Sequence, residues 1–229
     1  LTGPPVNSQI LGEGIKGGNT WAPAETDVSI RPGWFWKEHE NDDVKSLQHL
    51  LKIYYESVGH NSLLLLNVPP DTRGLIHEVD SARLMELRAA IDEIFANDLS
   101  DGATVKAENV RGRSRRFSAD NLLNGEYDSY WAADDDVKTV SFTVTLPQKR
   151  TFNRVQLQEY IPLGQRISAF SIDVMEDDGS WKPIAHETTV GYKRIVHIPV
   201  TTTKAIRVNI EESEACPVLN GFALYMDDI

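Results

Sequence analysis

Three of the five tryptophans of this 229-residue chain fall in one stretch, TWAPAETDVSIRPGWFW, running from Thr20 to Trp36. Between Trp21 and Trp34 sit two carboxylic acids, Glu25 and Asp27, and one guanidinium, Arg31. A core needs apolar volume without acids, and a solvated loop needs acids without tryptophan. A pyranose ring, with one apolar face and a rim of hydroxyls, calls for both. A carboxylic acid donates a proton near neutral pH only if its pKa is raised, and burial against apolar surface does this. Trp21, Trp34, Phe35 and Trp36 are the surfaces on offer to Glu25. Arg31 could keep the second acid ionised, bind a sugar hydroxyl, or hold the loop by a salt bridge. In an extended segment, residues two apart face the same way with Cα atoms about 7 Å apart. That spacing permits two-carboxylate hydrolysis, since inverting glycosidases separate their carboxyls by roughly 6.5–9.5 Å. It is equally compatible with two solvated acids.

The elements around this stretch change character once along the chain. Leu1 to Asn19, rich in glycine and proline, reads as an irregular loop. VKSLQHLLKIYYESVG (Val44–Gly59) carries apolar residues at helical spacing and ends on a glycine suited to a C-cap. SLLLLNVPPDTRG reads as a strand buried on both faces that leaves into a turn. HEVDSARLMELRAAIDEIFAN (His77–Asn97) is a second amphipathic helix, with Leu84, Leu87, Ile91 and Ile94 on one stripe. Helix, buried strand and helix are the grammar of an α/β barrel or doubly wound sheet. From Thr104 onward the segments TVSFTVTL, RVQLQEY, FSIDVM, RIVHIPV, AIRVNI and GFALYMD are short and β-rich, and EDDGSW is an Asp-Gly hairpin turn. The fold class expected is therefore α/β followed by all-β. Residues 1–99 supply a barrel-like part and residues 100–229 an antiparallel β-sandwich or jelly roll.

Composition excludes several functions. The net charge of −11 opposes nucleic-acid binding, and no run of eighteen apolar residues could span a membrane. The single cysteine, Cys216, forms no internal disulfide, and no cysteine–histidine cluster suggests zinc. The absence of any Asn-x-Ser/Thr sequon points to a bacterial periplasmic or secreted setting. The opening LTGPPVNSQILGEGIKGG is neither an initiator sequence nor a signal peptide, so the chain reads as one joined part-way through a longer sequence.

WAPAETDVSIRPGWFW, followed by KSLQHLLKIYYESVGHNSLLLLNVPPDTRGLIHEVD, closely resembles the C-terminal part of the catalytic barrel of family 29 α-L-fucosidases. The nearer likeness is to the branch that cleaves α-1,3/1,4-fucosyl linkages. The resemblance covers about Leu1 to Asn97 and implies a (β/α)₈-like barrel followed by a β-sandwich. It implies a retaining hydrolase that needs no cofactor, acting on fucosylated oligosaccharides or glycoconjugates, with Glu25 as general acid/base. In that family the aspartate nucleophile and the fucose-binding histidine and tryptophan cluster lie before this motif. The N-terminal part of the barrel is thus an expected partner, and these residues alone are expected to be inactive. Asp27 is read as a supporting acid. Trp21, Arg31, Trp34, Trp36 and Asp43 are the substrate-binding candidates, Asp43 lying in the acidic loop EHENDDVKS. The alternative is a carbohydrate-binding or structural piece without catalysis.

FSADNLLNGEYDSYWAADDD and LQEYIPLGQRISAFSIDVMEDDGSWKPI resemble discoidin-like (F5/8 type C) sandwiches. That likeness implies a module which can hold sugar, and Tyr130, Trp131, Tyr160 and Trp181 are the aromatic candidates, with Trp131 more at home in a core. It also implies a possible structural calcium, with Asp120, Asn124 and Asp128 as ligands. The basic run RGRSRR (Arg111–Arg116) reads as a loop that satisfies nearby acids.

Overall fold

The computed structural model of the chain describes residues 12–228. The reading of Leu1–Asn19 as a loop therefore lies, for residues 1–11, outside the described residues.

Two parallel strands, β1 (Ala24–Ser29) and β2 (Ser62–Asn67), pair in register from Ala24 opposite Ser62 to Ser29 opposite Asn67. The connection between them carries a 3₁₀ turn (Glu38–Asp43) and helix α1 (Leu47–Ser57). A crossover containing a helix is what parallel pairing requires. Ser46 caps α1, its Oγ accepting from the His49 N–H, and Val58 closes the other end, one residue before the glycine the sequence suggested. Helix α2 (Glu78–Ile94) follows β2, with Glu78 and Asp80 in the first turn, where the helix dipole favours acids. Ile30, Leu50, Leu51, Leu87, Ala90 and Ile94 form the small core under this unit.

The leucine run departs from its expected burial on both faces. Leu64 and Leu66 turn inward, whereas Leu63 and Leu65 remain 55% and 49% exposed. Within these residues the two strands have helices against one face only, and alternate leucines lie on the other.

The second part is all-β. Strands β3 (Thr104–Ala107), β4 (Trp131–Ala132), β5 (Val140–Glu159), β6 (Ile167–Met175), β7 (Trp181–Glu187), β8 (Arg194–Ser213) and β9 (Val218–Tyr225) pair in the order β4-β9-β5-β8-β6-β7, with β3 against β5. All these pairings are antiparallel. TVSFTVTL and RVQLQEY, separate in the sequence reading, are one strand, β5. Its register against β8 shifts between Thr145 and Arg150, around Pro147, which cannot donate to a ladder. The first half of β5 pairs with β3 and the second with β9, so one long strand serves both layers of a β-sandwich. Trp131, Phe142, Phe152, Leu157, Phe170 and Ile172 fill its interior.

The two parts are joined. Tyr225 packs on the α/β core with its ring 4.8 Å from that of Phe95, edge to face. Asp227 accepts from Tyr55 Oη at 2.7 Å and Arg154 Nη2 at 2.6 Å, and the Arg154 guanidinium lies 4.6 Å over the Tyr55 ring.

Candidate active site

Glu25 and Asp27 project from the same face of β1 and are exposed. Beside them in the register stand Leu63 and Leu65. The opposite face, with Thr26, Val28, Leu64 and Leu66, is turned toward the helices, and Leu66 packs on the small core. The acids therefore lie on an open, half-apolar surface formed by two parallel strands. Ser62 contacts the residues on either side of Glu25. Its Oγ donates to the Ala24 carbonyl at 3.0 Å and lies 2.9 Å from the Thr26 hydroxyl.

The tryptophans do not gather around Glu25 as the sequence suggested. Trp34, 52% exposed, Phe35 and Trp36 follow the far end of β1, four residues or about 13 Å along the strand from Glu25. Trp36 is half-buried with its ring 5.9 Å from that of His77, and the Arg31 guanidinium lies 6.0 Å from it. The immediate apolar neighbour of Glu25 in the sheet is Leu63. Trp21 precedes β1 and donates from Nε1 to Gln165 of the sandwich at 3.1 Å.

Arg31 cannot reach a substrate. Its side chain is fully buried and donates to Asp80 at 2.9 Å, to Asn41 at 3.0 Å and to the Lys37 carbonyl at 3.4 Å. Lys45 reinforces the same loop by donating to the carbonyls of Ser29 and Arg31. Within EHENDDVKS, Glu40 is buried against Lys37, while Asp42 and Asp43 stay exposed. At this far end of the strands a cleft of about 220 Å³ is lined by Trp36, Glu38, Asn41, Asp71, Arg73 and His77. Hydrogen bonds from the Arg73 side chain, helped by the Arg73 and Leu75 backbone N–H groups, hold the Asp71 carboxyl down to about 2. Asn67 at the end of β2 donates to the Trp34 carbonyl and the Ser29 hydroxyl, so it braces the loop.

The starting ends of β1 and β2 meet the sandwich. Asn61, at φ +60°, donates to the Gly12 carbonyl at 2.8 Å and to Gln165 Oε1 at 2.9 Å, and accepts from the Tyr192 N–H at 2.6 Å. Asn61, Gln165 and Asp80 were missed by sequence reasoning. Their roles depend on contacts across 104 and 49 residues, and only the tolerance of asparagine for a left-handed backbone was a local signal.

Comparison with known proteins assigns both parts. Residues 8–90 match the family described as Alpha-L-fucosidase, and residues 104–225 match the F5/8 type C domain. The chain joins a piece of the α-L-fucosidase family to an F5/8 type C domain. Alpha-L-fucosidase 1 of Arabidopsis thaliana is 37% identical over 218 residues, covering 94% of this chain and 43% of that relative. The structure of a GH29 fucosidase of Ruminococcus gnavus in complex with fucose superposes with a TM-score of 0.87 at 30% identity, over 93% of this chain and 43% of that one. SpGH29 gives 0.89 at 38% identity, over 99% and 49%. The chain thus spans less than half the length of these family members.

In the F5/8 type C domain the four aromatic candidates do not share a surface. Trp131 is wholly buried and donates to the Asn109 carbonyl. Tyr130 and Tyr160 stack on each other at 4.6 Å, and Trp181 lies under the Arg207 guanidinium. The basic run meets acids and an aromatic ring: Arg111 pairs with Asp135, and Arg111 and Arg116 lie over Phe117. Of the calcium candidates Asp120, Asn124 and Asp128, the first two have side-chain partners within their own loop. Asp120 accepts from Ser118 Oγ, and Asn124 accepts from the Glu126 N–H and donates to Ser129. The Asn121 amide donates to two loop carbonyls, of Arg116 and Tyr130. No three His, Cys, Asp or Glu side chains converge on a metal position among the described residues.

Proposed function

We propose that this chain carries the acid/base residue, Glu25, of a retaining α-L-fucosidase that releases terminal α-1,3/1,4-linked L-fucose from glycans. The observation that supports this most is the setting of Glu25, which stands on the strand face away from the helices, beside Leu63, with the Ala24 carbonyl before it and the Thr26 hydroxyl after it both held by Ser62. In the reaction, Glu25 as the acid gives its proton to the leaving glycosidic oxygen while a nucleophilic carboxylate attacks C1. In the second half, the Glu25 carboxylate takes a proton from water as the water displaces that carboxylate. No cofactor enters either step. On this proposal the nucleophile comes from the N-terminal part of the barrel, outside these 229 residues, so the chain alone is inactive. The span of less than half of each relative supports that assignment. Trp34 and the exposed Asp43 remain the substrate-contact candidates among the loop residues. The absence of sequons supports a bacterial periplasmic or secreted setting.

Glu25→Gln in the native full-length polypeptide tests the reading. Turnover of a fucosylated oligosaccharide should fall by about 10²–10⁴-fold, the usual worth of acid/base catalysis. An aryl α-L-fucoside whose leaving group needs no proton should be largely spared in its first step. Equal loss of kcat/KM on both substrates would remove Glu25 from the acid role and leave a carbohydrate-binding or structural piece as the better description.

A further inference from the structure

Gln165 belongs to the F5/8 type C domain, yet its side chain is engaged by the α/β part. Its Oε1 accepts from Trp21 Nε1 at 3.1 Å and from Asn61 Nδ2 at 2.9 Å, and its Nε2 donates to the Glu13 carbonyl at 2.7 Å. Trp21 leads into β1, which carries Glu25, and Asn61 leads into β2, which carries its register partner Leu63. Ser62, next to Asn61, holds the residues on both sides of Glu25. One amide therefore grips the approach to the acid's strand and the approach to its neighbour. Gln165 is itself held firmly. The Arg166 and Ile167 N–H groups donate to Glu159, and the Arg166 guanidinium donates to the carbonyls of Leu163 and Cys216.

We propose that Gln165 is a positioning residue for Glu25, through which the sandwich sets where the acid's carboxyl stands relative to the leaving oxygen. The inference rests on the acid/base reading of Glu25. Proton transfer needs the carboxyl within hydrogen-bond reach of the reacting oxygen. Trp21 stands three residues before β1 and Asn61 one residue before β2, so a tie that holds both fixes how the two strands set out from the sandwich.

The test uses the native full-length polypeptide and measures kcat and KM on two substrates, a fucosylated oligosaccharide and an aryl α-L-fucoside with an activated leaving group. Gln165→Leu should lower kcat/KM, which reports the first step, by about 10²-fold on the oligosaccharide and by no more than about threefold on the aryl fucoside, the loss expected when a catalytic group is displaced by about 1 Å. Gln165→Glu keeps the acceptor for Trp21 and Asn61 but turns a carboxylate oxygen onto the Glu13 carbonyl, so it should recover part of the loss. Trp21→Phe, which leaves the sandwich untouched, should show a weaker split that does not add to that of Gln165→Leu. It carries the test if Gln165→Leu does not fold. Equal losses of kcat/KM on both substrates, or unchanged kinetics with only a lower Tm, would overturn the proposal and make Gln165 a packing residue. Glu25→Gln run alongside separates the two readings. If it splits the substrates and the Gln165 variants do not, only this inference falls; if it does not split them, the acid/base reading falls and takes this one with it.

Discussion

Arg31 Nε and Asp80 Oδ2 meet at 2.9 Å with both side chains fully buried, joining the residue that leaves β1's loop to the first turn of α2. Two charges removed from water are tolerable only while each compensates the other. Removing one partner of such a pair costs about 3–5 kcal/mol, whereas replacing both by apolar residues of similar volume is often close to neutral. We expect Asp80→Ala to lower the urea midpoint sharply, and Arg31→Met combined with Asp80→Leu to recover most of that loss. A single-variant loss below about 1 kcal/mol would show that solvent reaches the pair and that the loop does not depend on it.

Gly191 sits against Asn61 where the sandwich meets β2. A Cβ at this position would lie 2.2 Å from the Asn61 side chain, and the backbone is at φ +64°. Both facts oppose any side chain. Gly191→Ala should cost roughly 2 kcal/mol or more through backbone strain and the displaced asparagine. For a chain of this size that is a fall in Tm of about 4–8 °C, read by calorimetry. An unchanged Tm would mean that Asn61 swings away freely, which would also weaken the case for Gln165.

Much of this fold was legible because its signals are local. The period of the two helices, the alternation in Val140, Phe142 and Val144, and the Asp-Gly turn between β6 and β7 all reappear in the structure. The Leu63–Leu66 run alternates between inward and open positions within these residues, because only two strands of the sheet are present here. The burial of Arg31 was open to sequence reading only as one of three roles, since its partner lies 49 residues away. The tryptophans of the opening stretch are close in sequence but separated by the length of an extended strand. Proximity in the chain therefore overstated their proximity to Glu25.

The F5/8 type C loop from Ser118 to Tyr130 is closed by its own hydrogen bonds, from Ser118, Asn121, Asn124 and Ser129. A protein whose fold depends on a bound ion loses stability when a chelator removes it. We expect excess EDTA to leave the Tm unchanged, and added millimolar calcium to leave it unchanged as well. A rise of several degrees with calcium, abolished by Asp120→Ala, would show that the loop rearranges to bind the ion.

Glu159 is 1% exposed, and its carboxyl accepts N–H bonds from Arg166, Ile167 and Gly191 at 2.7, 3.0 and 2.7 Å. Burial pushes the carboxyl up to about 7 from an ordinary 4.5, and the three N–H donors, which favour the ionised form, only partly offset this. Between those two values the folded protein holds a proton that the unfolded chain has released. The stabilising contribution is therefore complete below about pH 4.5 and is lost as pH rises to about 7. A gap of this size corresponds to roughly 3 kcal/mol. Glu159→Gln is neutral at every pH and leaves one N–H without an acceptor, so it should lower stability by an offset that does not vary with pH. The informative quantity is the slope. Urea midpoints between pH 5 and 8 should fall with pH more steeply in the wild type than in Glu159→Gln, and parallel curves would mean that Glu159 does not titrate in this window.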